Sequence, residues 1–232
     1  MAATVLTYTQ ASTAVELTGW RLLYRCLAAS VAVPSMRRGL EIAALVGSAC
    51  GDDADEHLRI DVRSDRVEIV LHTKVIGNVT QRDVELARRI ADAVHADHMT
   101  ISEPARASST VRPVQSIELG IDALDIAAIR PFWKAVLAYV DEPNTDEPNM
   151  IVDPAWQGPA IWFQQMDEPR PQRNRIHFDV TVSHDEAPGR IQAALDAGGI
   201  LLSDAAARSW WILADAEGNE VCICTWQDRD PA

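Results

Sequence analysis

Residues 55–83 read DEHLRIDVRSDRVEIVLHTKVIGNVTQRD, and this stretch decides the fold of the N-terminal part of the chain. Apolar and polar residues alternate on both sides of Ser64–Asp65, which predicts a half-buried β-hairpin that turns there. Thr80 and Asp83 have the spacing of a capping box and predict that a helix begins after Thr80. The residues predicted to face inward from the two strands are Leu58, Ile60, Val62, Val67, Ile69 and Leu71.

The segments around this hairpin predict the rest of an α+β unit. Residues 19–33, GWRLLYRCLAASVAV, are typical of one or two strands, and the helix after Thr80 carries a regular apolar stripe. Residues 34–51 predict a helix that begins at Pro34 and ends at Gly51. We therefore expect an antiparallel sheet with helices on one face. The predicted apolar face of the helix at 34–51 consists of Met36, Leu40, Ala43, Ala44 and Val46.

Three residues at the ends of the hairpin form a candidate catalytic group. Glu56 and His57 precede its first strand, and Lys74 follows its second. The two positions lie at the same end of a hairpin, so a carboxylate, an imidazole and an ammonium group would meet there. Histidine is the usual proton carrier near neutral pH. The alternative interpretation, that all three are solvated residues at loop edges, stays open at this point.

The composition excludes some partners. The formal net charge is −13, and an acidic surface repels both nucleic acid and anionic membrane. The N-terminus lacks a secretory signal pattern, and no apolar run reaches the length of a membrane span. The four cysteines are interpreted as reduced thiols, so we expect a cytoplasmic protein.

A change of composition predicts two domains. Residues 100–115, TISEPARASSTVRPVQ, are rich in Ser, Thr, Pro and Ala and are interpreted as a linker between domains at 1–99 and 116–232. After it, the pattern of a strand, a helix and several strands occurs twice. We expect a second α+β domain built from this internal repeat.

Residues 17–94 resemble the pterin-4a-carbinolamine dehydratase family. The shared features are LTGW, which opens the first strand, and LHTKVIGNVTQRDVELARRI at the end of the hairpin and after it. The resemblance implies dehydration of a 4a-hydroxypterin, for which the family uses a histidine pair followed by proline and a histidine after a threonine. Glu56, His57, Leu58 and Lys74 occupy those places here. One family histidine, His57, therefore remains.

Residues 116–226 resemble the glyoxalase-like, vicinal-oxygen-chelate family, with the segments GPAIWFQQM, NRIHFDVTV and WWILADAEGNEVCI in family order. The resemblance implies a fold of paired βαβββ units that forms a cup. Metal-dependent members place four ligands on inward strand positions, and Cys222 replaces the usual final glutamate. The ligand-binding residues implied by the resemblance and by strand alternation are Glu118, Trp162, Gln164, His177, Trp211 and Cys222.

Three functional hypotheses follow. The first is a two-domain small-molecule-binding protein with a degenerate dehydratase-like domain and a metal-free glyoxalase-like domain. The second is an active 4a-hydroxytetrahydrobiopterin dehydratase. The third is a metal-dependent enzyme that uses Gln164 and His177. We predict no cofactor, rank a pterin ligand above a divalent metal, and expect a homodimer from the resemblance to both families.

Overall fold

The computed structural model describes residues 4–23, 25–102, 115–143, 150–170, 172 and 176–228. It divides the chain into two compact units, Met1–Ser116 and Ile117–Ala232. The domain limits at 99 and 116 remain predictions, because residues 103–114 lie outside the described part of the chain. Ile101 and Ser102, which the composition placed in the linker, form a short strand of the first unit instead.

Within the residues that the structure describes, the first unit has one antiparallel sheet and four α-helices. The strands follow the order β1-β2-β4-β3, and β5 pairs with β2. The helices are α1 (Tyr8–Val15), α2 (Met36–Cys50), α3 (Ala54–His57) and α4 (Gln81–Ala96). The strands are β1 (Arg21–Leu23), β2 (Cys26–Ala32), β3 (Leu58–Val62), β4 (Arg66–Leu71) and β5 (Ile101–Ser102).

The predicted hairpin and its following helix are confirmed. β3 and β4 pair in antiparallel register from Leu58 opposite Leu71 to Val62 opposite Val67. The inward residues of β4 are fully buried. Thr80 caps α4 in the predicted capping box with Asp83. One face of this hairpin packs on helices α2 and α4, and this one-sided burial explains why the alternation of apolar and polar residues predicted the hairpin correctly.

The apolar face predicted for α2 was wrong except at Val46. Met36 and Leu40 are 46% and 59% exposed. The buried face of α2 is a neighbouring stripe of residues instead. It includes Gly39, which the pattern did not count as apolar. The close packing of the helix explains this choice, because a Cβ atom on Gly39 would lie 2.8 Å from Val62 Cγ1. The buried residues of α2 are Gly39, Ile42, Val46 and Cys50.

The second unit consists of two βαβββ halves, as predicted. The first strand of each half pairs in parallel with the last strand of that half, which gives sheet orders β6-β9-β8-β7 and β10-β13-β12-β11. The first half contains β6 (Glu118–Ala123), α5 (Ile126–Leu137), β7 (Val140–Asp141), β8 (Met150–Val152) and β9 (Ala160–Gln165). The second contains β10 (Phe178–Thr181), α6 (Ala187–Asp196), β11 (Ile200–Ser203), β12 (Trp210–Ala214) and β13 (Glu220–Cys224).

One core joins the two halves of the second unit. The inner faces of both sheets pack on α5 and α6, around the buried rings of Phe132 and Trp133. Alternation places Trp162 and Trp210 on the opposite, outer faces of the two sheets, where they are 36% and 40% exposed. No helix in the described ranges has the length and apolar character needed to cross a membrane.

Candidate functional sites

The first candidate site is centred on His57. This residue ends the short helix α3 directly before β3, and it is 6% exposed. Its Nδ1 lies 2.8 Å from Oδ1 of Asp83, a fully buried carboxylate in the first turn of α4. A carboxylate only accepts, so it holds the imidazole proton on Nδ1 and leaves Nε2 as the atom for proton transfer.

Asp83 is fixed by three further hydrogen bonds. The backbone N–H of Thr80 donates to Asp83 Oδ2 over 2.7 Å, and the hydroxyl groups of Thr73 and Thr80 donate to the same oxygen over 2.8 Å and 3.1 Å. The carboxylate of Asp83 therefore both caps α4 and accepts the hydrogen bond from His57. The sequence identified Asp83 only as a cap. Its burial next to a site histidine shows the second role, which the capping pattern could not reveal.

Glu56 and Lys74 lie at the same end of the hairpin as His57, as the strand pattern predicted. The backbone N–H of Lys74 donates to the carbonyl of Glu56 over 3.0 Å. The Lys74 ammonium donates to the main-chain carbonyl of Asp55 over 2.7 Å, and Glu56 is exposed. The hairpin therefore brings the three residues together, with the imidazole buried and the carboxylate of Glu56 in solvent.

A second histidine lies beside this site. Alternation placed His72 on the polar face of the hairpin, but it is 1% exposed. Its backbone N–H donates to the carbonyl of His57 over 3.1 Å. Burial lowers the pKa of His72 to about 4, so this imidazole is neutral at pH 7. The backbone pairing of the hairpin therefore continues to His72, and strand alternation alone did not show that this position is covered.

The second candidate site is a pocket on the outer face of the β10-β13-β12-β11 sheet. Its volume is about 490 Å³, within the range of small-molecule sites. Asp179 and Cys222 are register partners across β10 and β13, and Ile212 is paired with Cys222 across β12 and β13. The residues that line the pocket are His177, Asp179, Trp210, Ile212, Glu220, Cys222 and Cys224.

The predicted ligand-binding residues divide between two sheets. His177 and Cys222 line the pocket. Glu118, Trp162 and Gln164 are exposed on β6 and β9 of the other sheet and are not among the lining residues. The structure therefore does not bring these three residues into the pocket with His177.

Trp211, which the sequence analysis placed among the ligand-binding residues, is not one of the described residues that line the pocket. Trp211 pairs with Ile223 across β12 and β13 and packs on the core of the unit. Trp210 pairs with Cys224, so it shares the outer face and lines the pocket in its place. Alternation along a strand places neighbouring residues such as Trp210 and Trp211 on opposite faces, but it does not show which face is covered by helices.

The pocket contains three potential metal donors, of which Asp179 was not foreseen as a ligand. His177 Nε2 lies 3.5 Å from Asp179 Oδ1, and donor atoms of His177, Asp179 and Cys222 lie within 4.8 Å of one another. Burial and a hydrogen bond with Asp179 raise the pKa of the Cys222 thiol to about 11. One imidazole, one thiol and one carboxylate do not fit a hard divalent ion, which prefers several oxygen ligands.

Comparisons with known proteins agree with the two-unit division. Residues 4–93 match the family model described as pterin 4 alpha carbinolamine dehydratase, and residues 118–224 match the model described as glyoxalase-like domain. Two proteins from Mycobacterium sp. strains KMS and JLS, each named "Putative pterin-4-alpha-carbinolamine dehydratase", are 36% identical over 87 residues. The match covers 37% of this chain and 92% of each relative.

Solved structures match each unit separately. A transcriptional coactivator/pterin dehydratase from Brucella melitensis has a TM-score of 0.35 at 22% identity and covers 39% of this chain and 98% of its own. The fosfomycin resistance protein FosX from Mesorhizobium loti has a TM-score of 0.38 at 8% identity and covers 47% of this chain and 88% of its own.

Proposed function

The chain belongs to the pterin 4 alpha carbinolamine dehydratase family through residues 4–93 and carries a glyoxalase-like domain at residues 118–224, and we propose that it binds a small molecule in the pocket of its second unit. The pocket of about 490 Å³ carries this proposal. It combines an indole, an isoleucine side chain and several polar groups on one face, which is the usual composition of a small-molecule site.

In this proposal the ligand is held without a metal ion. The donor set of His177, Asp179 and Cys222 supports that view, because it offers one carboxylate and a soft sulfur in place of the several oxygen ligands that a hard cation prefers. The four cysteines are free thiols, which supports a cytoplasmic location as part of the same proposal.

A fragment screen by ligand-observed NMR tests the proposal. Ile212 is half-buried in the pocket wall, so Ile212→Trp should fill the cavity and abolish the binding of pocket ligands. Ile117→Trp is the matched control, because Ile117 is 57% exposed and is not a lining residue. Fragments that bind both variants as well as they bind the wild type would contradict the proposal.

A second candidate function is dehydration of a 4a-hydroxytetrahydropterin in the first unit. The 2.8 Å contact between His57 Nδ1 and Asp83 Oδ1 favours it, because this contact orients Nε2 as a general acid or base. Lys74 and Glu56 occupy the places of the other family histidines, so we expect activity below that of members with the full set.

An assay of that dehydration separates the two functions. His57→Ala should abolish any activity of the wild type, whereas His95→Ala should preserve it, because His95 is exposed on α4. Full activity in His57→Ala would remove this site from consideration. Absence of activity in the wild type would leave ligand binding as the function of the protein.

The proposal includes a homodimer. The edge strand β11 supports association, since Ile200, Leu201 and Leu202 are 53%, 40% and 51% exposed. Exposed apolar residues on a sheet edge favour contact with another chain. Static light scattering at micromolar concentration should give the mass of two chains, and the mass of one chain would refute this part of the proposal.

A further inference from the structure

Thr73 brings a buried hydroxyl group into the first candidate site. The residue lies two positions after the end of β4 and is 4% exposed. Its backbone N–H donates to the carbonyl of Asn78 over 3.0 Å, and its own carbonyl accepts from the backbone N–H of Gly77 over 2.8 Å. The loop at 73–78 therefore satisfies the backbone of Thr73, and its hydroxyl group serves contacts between side chains.

The hydroxyl group of Thr73 contacts three polar side chains. Its Oγ1 lies 2.8 Å from Asp83 Oδ2, 2.8 Å from Thr80 Oγ1 and 3.3 Å from His57 Nδ1. His57 is the most accessible of the four residues, and it is 6% exposed. Because water has little access to this cluster, its hydrogen bonds are stronger than they would be in solvent.

The protons of this cluster can be assigned from its geometry. A threonine hydroxyl carries a single proton, and Thr73 donates it to Asp83 Oδ2, so the Thr73 oxygen faces its other neighbours as an acceptor. His57 Nδ1 then meets two acceptors, Asp83 Oδ1 at 2.8 Å and Thr73 Oγ1 at 3.3 Å. A proton on Nδ1 satisfies both of them, whereas Nδ1 without a proton would face only lone pairs.

The two threonines of the cluster hold Asp83 from different elements. Thr80 reaches Oδ2 through its backbone N–H and its hydroxyl group, within the capping box at the start of α4. Thr73 donates to the same oxygen from the end of the hairpin, ten residues earlier in the chain, and also contacts the imidazole. Thr73 therefore links the helix cap to the histidine, and the fixed Oδ2 leaves Oδ1 directed at His57.

We propose that Thr73 is a positioning residue for proton transfer by His57. Its hydroxyl group fixes the Asp83 carboxylate so that Oδ1 accepts from Nδ1, which leaves Nε2 to exchange a proton with a bound molecule. This inference rests on the second candidate function, dehydration of a 4a-hydroxypterin. It adds to that function a residue that acts through Asp83 and His57 rather than on the substrate.

Nitrogen-15 NMR of the histidine side chains tests this role without an activity assay. In the wild type, His57 should show the tautomer with the proton on Nδ1, and this proton should give a resolved signal because a buried hydrogen bond exchanges slowly with water. Thr73→Val keeps the branched shape and removes the hydroxyl group, so the signal should broaden and the tautomer with the proton on Nε2 should become populated. Thr73→Ser restores the hydroxyl group and should restore the wild-type spectrum.

Thr9→Val is the matched control, because Thr9 is exposed on α1. It should leave the His57 signals unchanged. Thr73→Ala is a second test variant, since alanine also lacks the hydroxyl group but fills less space than valine. A folded variant of either kind with the wild-type His57 spectrum would overturn the inference. Unfolding of both variants would show that Thr73 has a structural role only, and would overturn it as well.

A dehydration assay provides the second readout. The kcat of Thr73→Val should fall about tenfold with KM unchanged, as expected for a group that orients a general acid or base without binding the substrate. Thr73→Ser should recover most of the rate, and equal kcat values for the wild type and Thr73→Val would contradict the inference. A wild type without dehydratase activity would refute the second candidate function, and the NMR spectra alone would then decide whether Thr73 positions His57.

Discussion

His57 Nδ1 and Asp83 Oδ1 lie 2.8 Å apart, inside a unit whose other dehydratase-family histidine positions hold Glu56 and Lys74. The buried pair has a structural role as well as a chemical one, because Asp83 also caps α4. Retention of the pair therefore does not require retention of catalysis. Glu56 and Lys74, which stand in the places of family histidines, are therefore more informative about catalysis than the His57–Asp83 pair.

Restoring the neighbouring histidines should raise dehydratase activity. The backbones of Glu56 and Lys74 are joined by a 3.0 Å hydrogen bond, so imidazoles at both positions would flank His57 at one end of the hairpin. We expect the double variant Glu56→His, Lys74→His to dehydrate a 4a-hydroxypterin roughly ten- to a hundredfold faster than the wild type, a cautious figure for restored acid–base groups.

Val75→His is the matched control for this experiment, because Val75 is 74% exposed next to Lys74. It adds a histidine at the rim and should leave the rate unchanged. A folded double variant without any gain in rate would show that the first unit has lost more than its histidines.

His72 should make the stability of the first unit depend on pH. Burial lowers its pKa from 6.5 to about 4, so the folded state favours the neutral imidazole. The stabilisation is complete above pH 6.5 and is lost as the pH falls towards 4, because the unfolded chain takes up the proton first. The shift corresponds to about 3 kcal/mol of unfolding free energy.

Urea denaturation of the wild type and of His72→Leu at a series of pH values measures this contribution. The variant should lose less stability than the wild type between pH 7 and pH 4, whatever its stability at pH 7. His95→Ala, which removes an exposed histidine of α4, should retain the full dependence. Identical slopes in the wild type and in His72→Leu would refute the assignment.

Strand alternation and helix periodicity predicted the elements that carry the sites. The hairpin of β3 and β4 and the helix α4 have one apolar and one polar face, so their patterns are unambiguous. The apolar face of α2 was predicted wrongly because the helix packs closely at Gly39, where a side chain would clash with Val62. Strands of two to four residues, such as β5, β7 and β11, are too short to carry a period.

The pocket could be predicted only in part, because it depends on tertiary arrangement. The resemblance and strand alternation predicted His177 and Cys222 as ligand-binding residues that face into a cup, and the structure places both in the lining of the pocket. Glu118 and Gln164 have the same local pattern but belong to the other sheet. Which residues share a pocket follows from the pairing of strands distant in sequence, which alternation does not encode.

Cys222→Glu should increase affinity for hard divalent ions. The wild-type donors His177, Asp179 and Cys222 include a single carboxylate, so we expect weak binding of Mn²⁺ and Ni²⁺. A second carboxylate at this position should raise the affinity by roughly tenfold or more, equivalent to about 1.4 kcal/mol. Isothermal titration of both proteins measures the difference.

Adding His177→Ala to Cys222→Glu should cancel the gain, because it removes the nitrogen ligand. Tight one-to-one binding of Mn²⁺ or Ni²⁺ by the wild type, lost in His177→Ala alone, would show that the pocket is a metal site. That result would refute the metal-free form of the proposed function.

Asp215→Ala should destabilise the second unit and with it the pocket. Asp215 is fully buried between β12 and β13 and accepts hydrogen bonds from the indole nitrogen of Trp133 over 2.9 Å and from the side-chain amide of Asn219 over 2.7 Å. It also accepts from the backbone N–H groups of Glu217 and Asn219. Removing the carboxylate leaves buried donors unpaired, and we expect a loss of about 3 kcal/mol in unfolding free energy.

Hydrogen exchange followed by mass spectrometry localises the loss: peptides of α5 should exchange faster, and peptides of α4 in the first unit should be unchanged. Asp196→Ala removes an exposed carboxylate of α6 and should have no such effect. Equal protection of α5 in Asp215→Ala and in this control would show that the loop between β12 and β13 is held by other contacts.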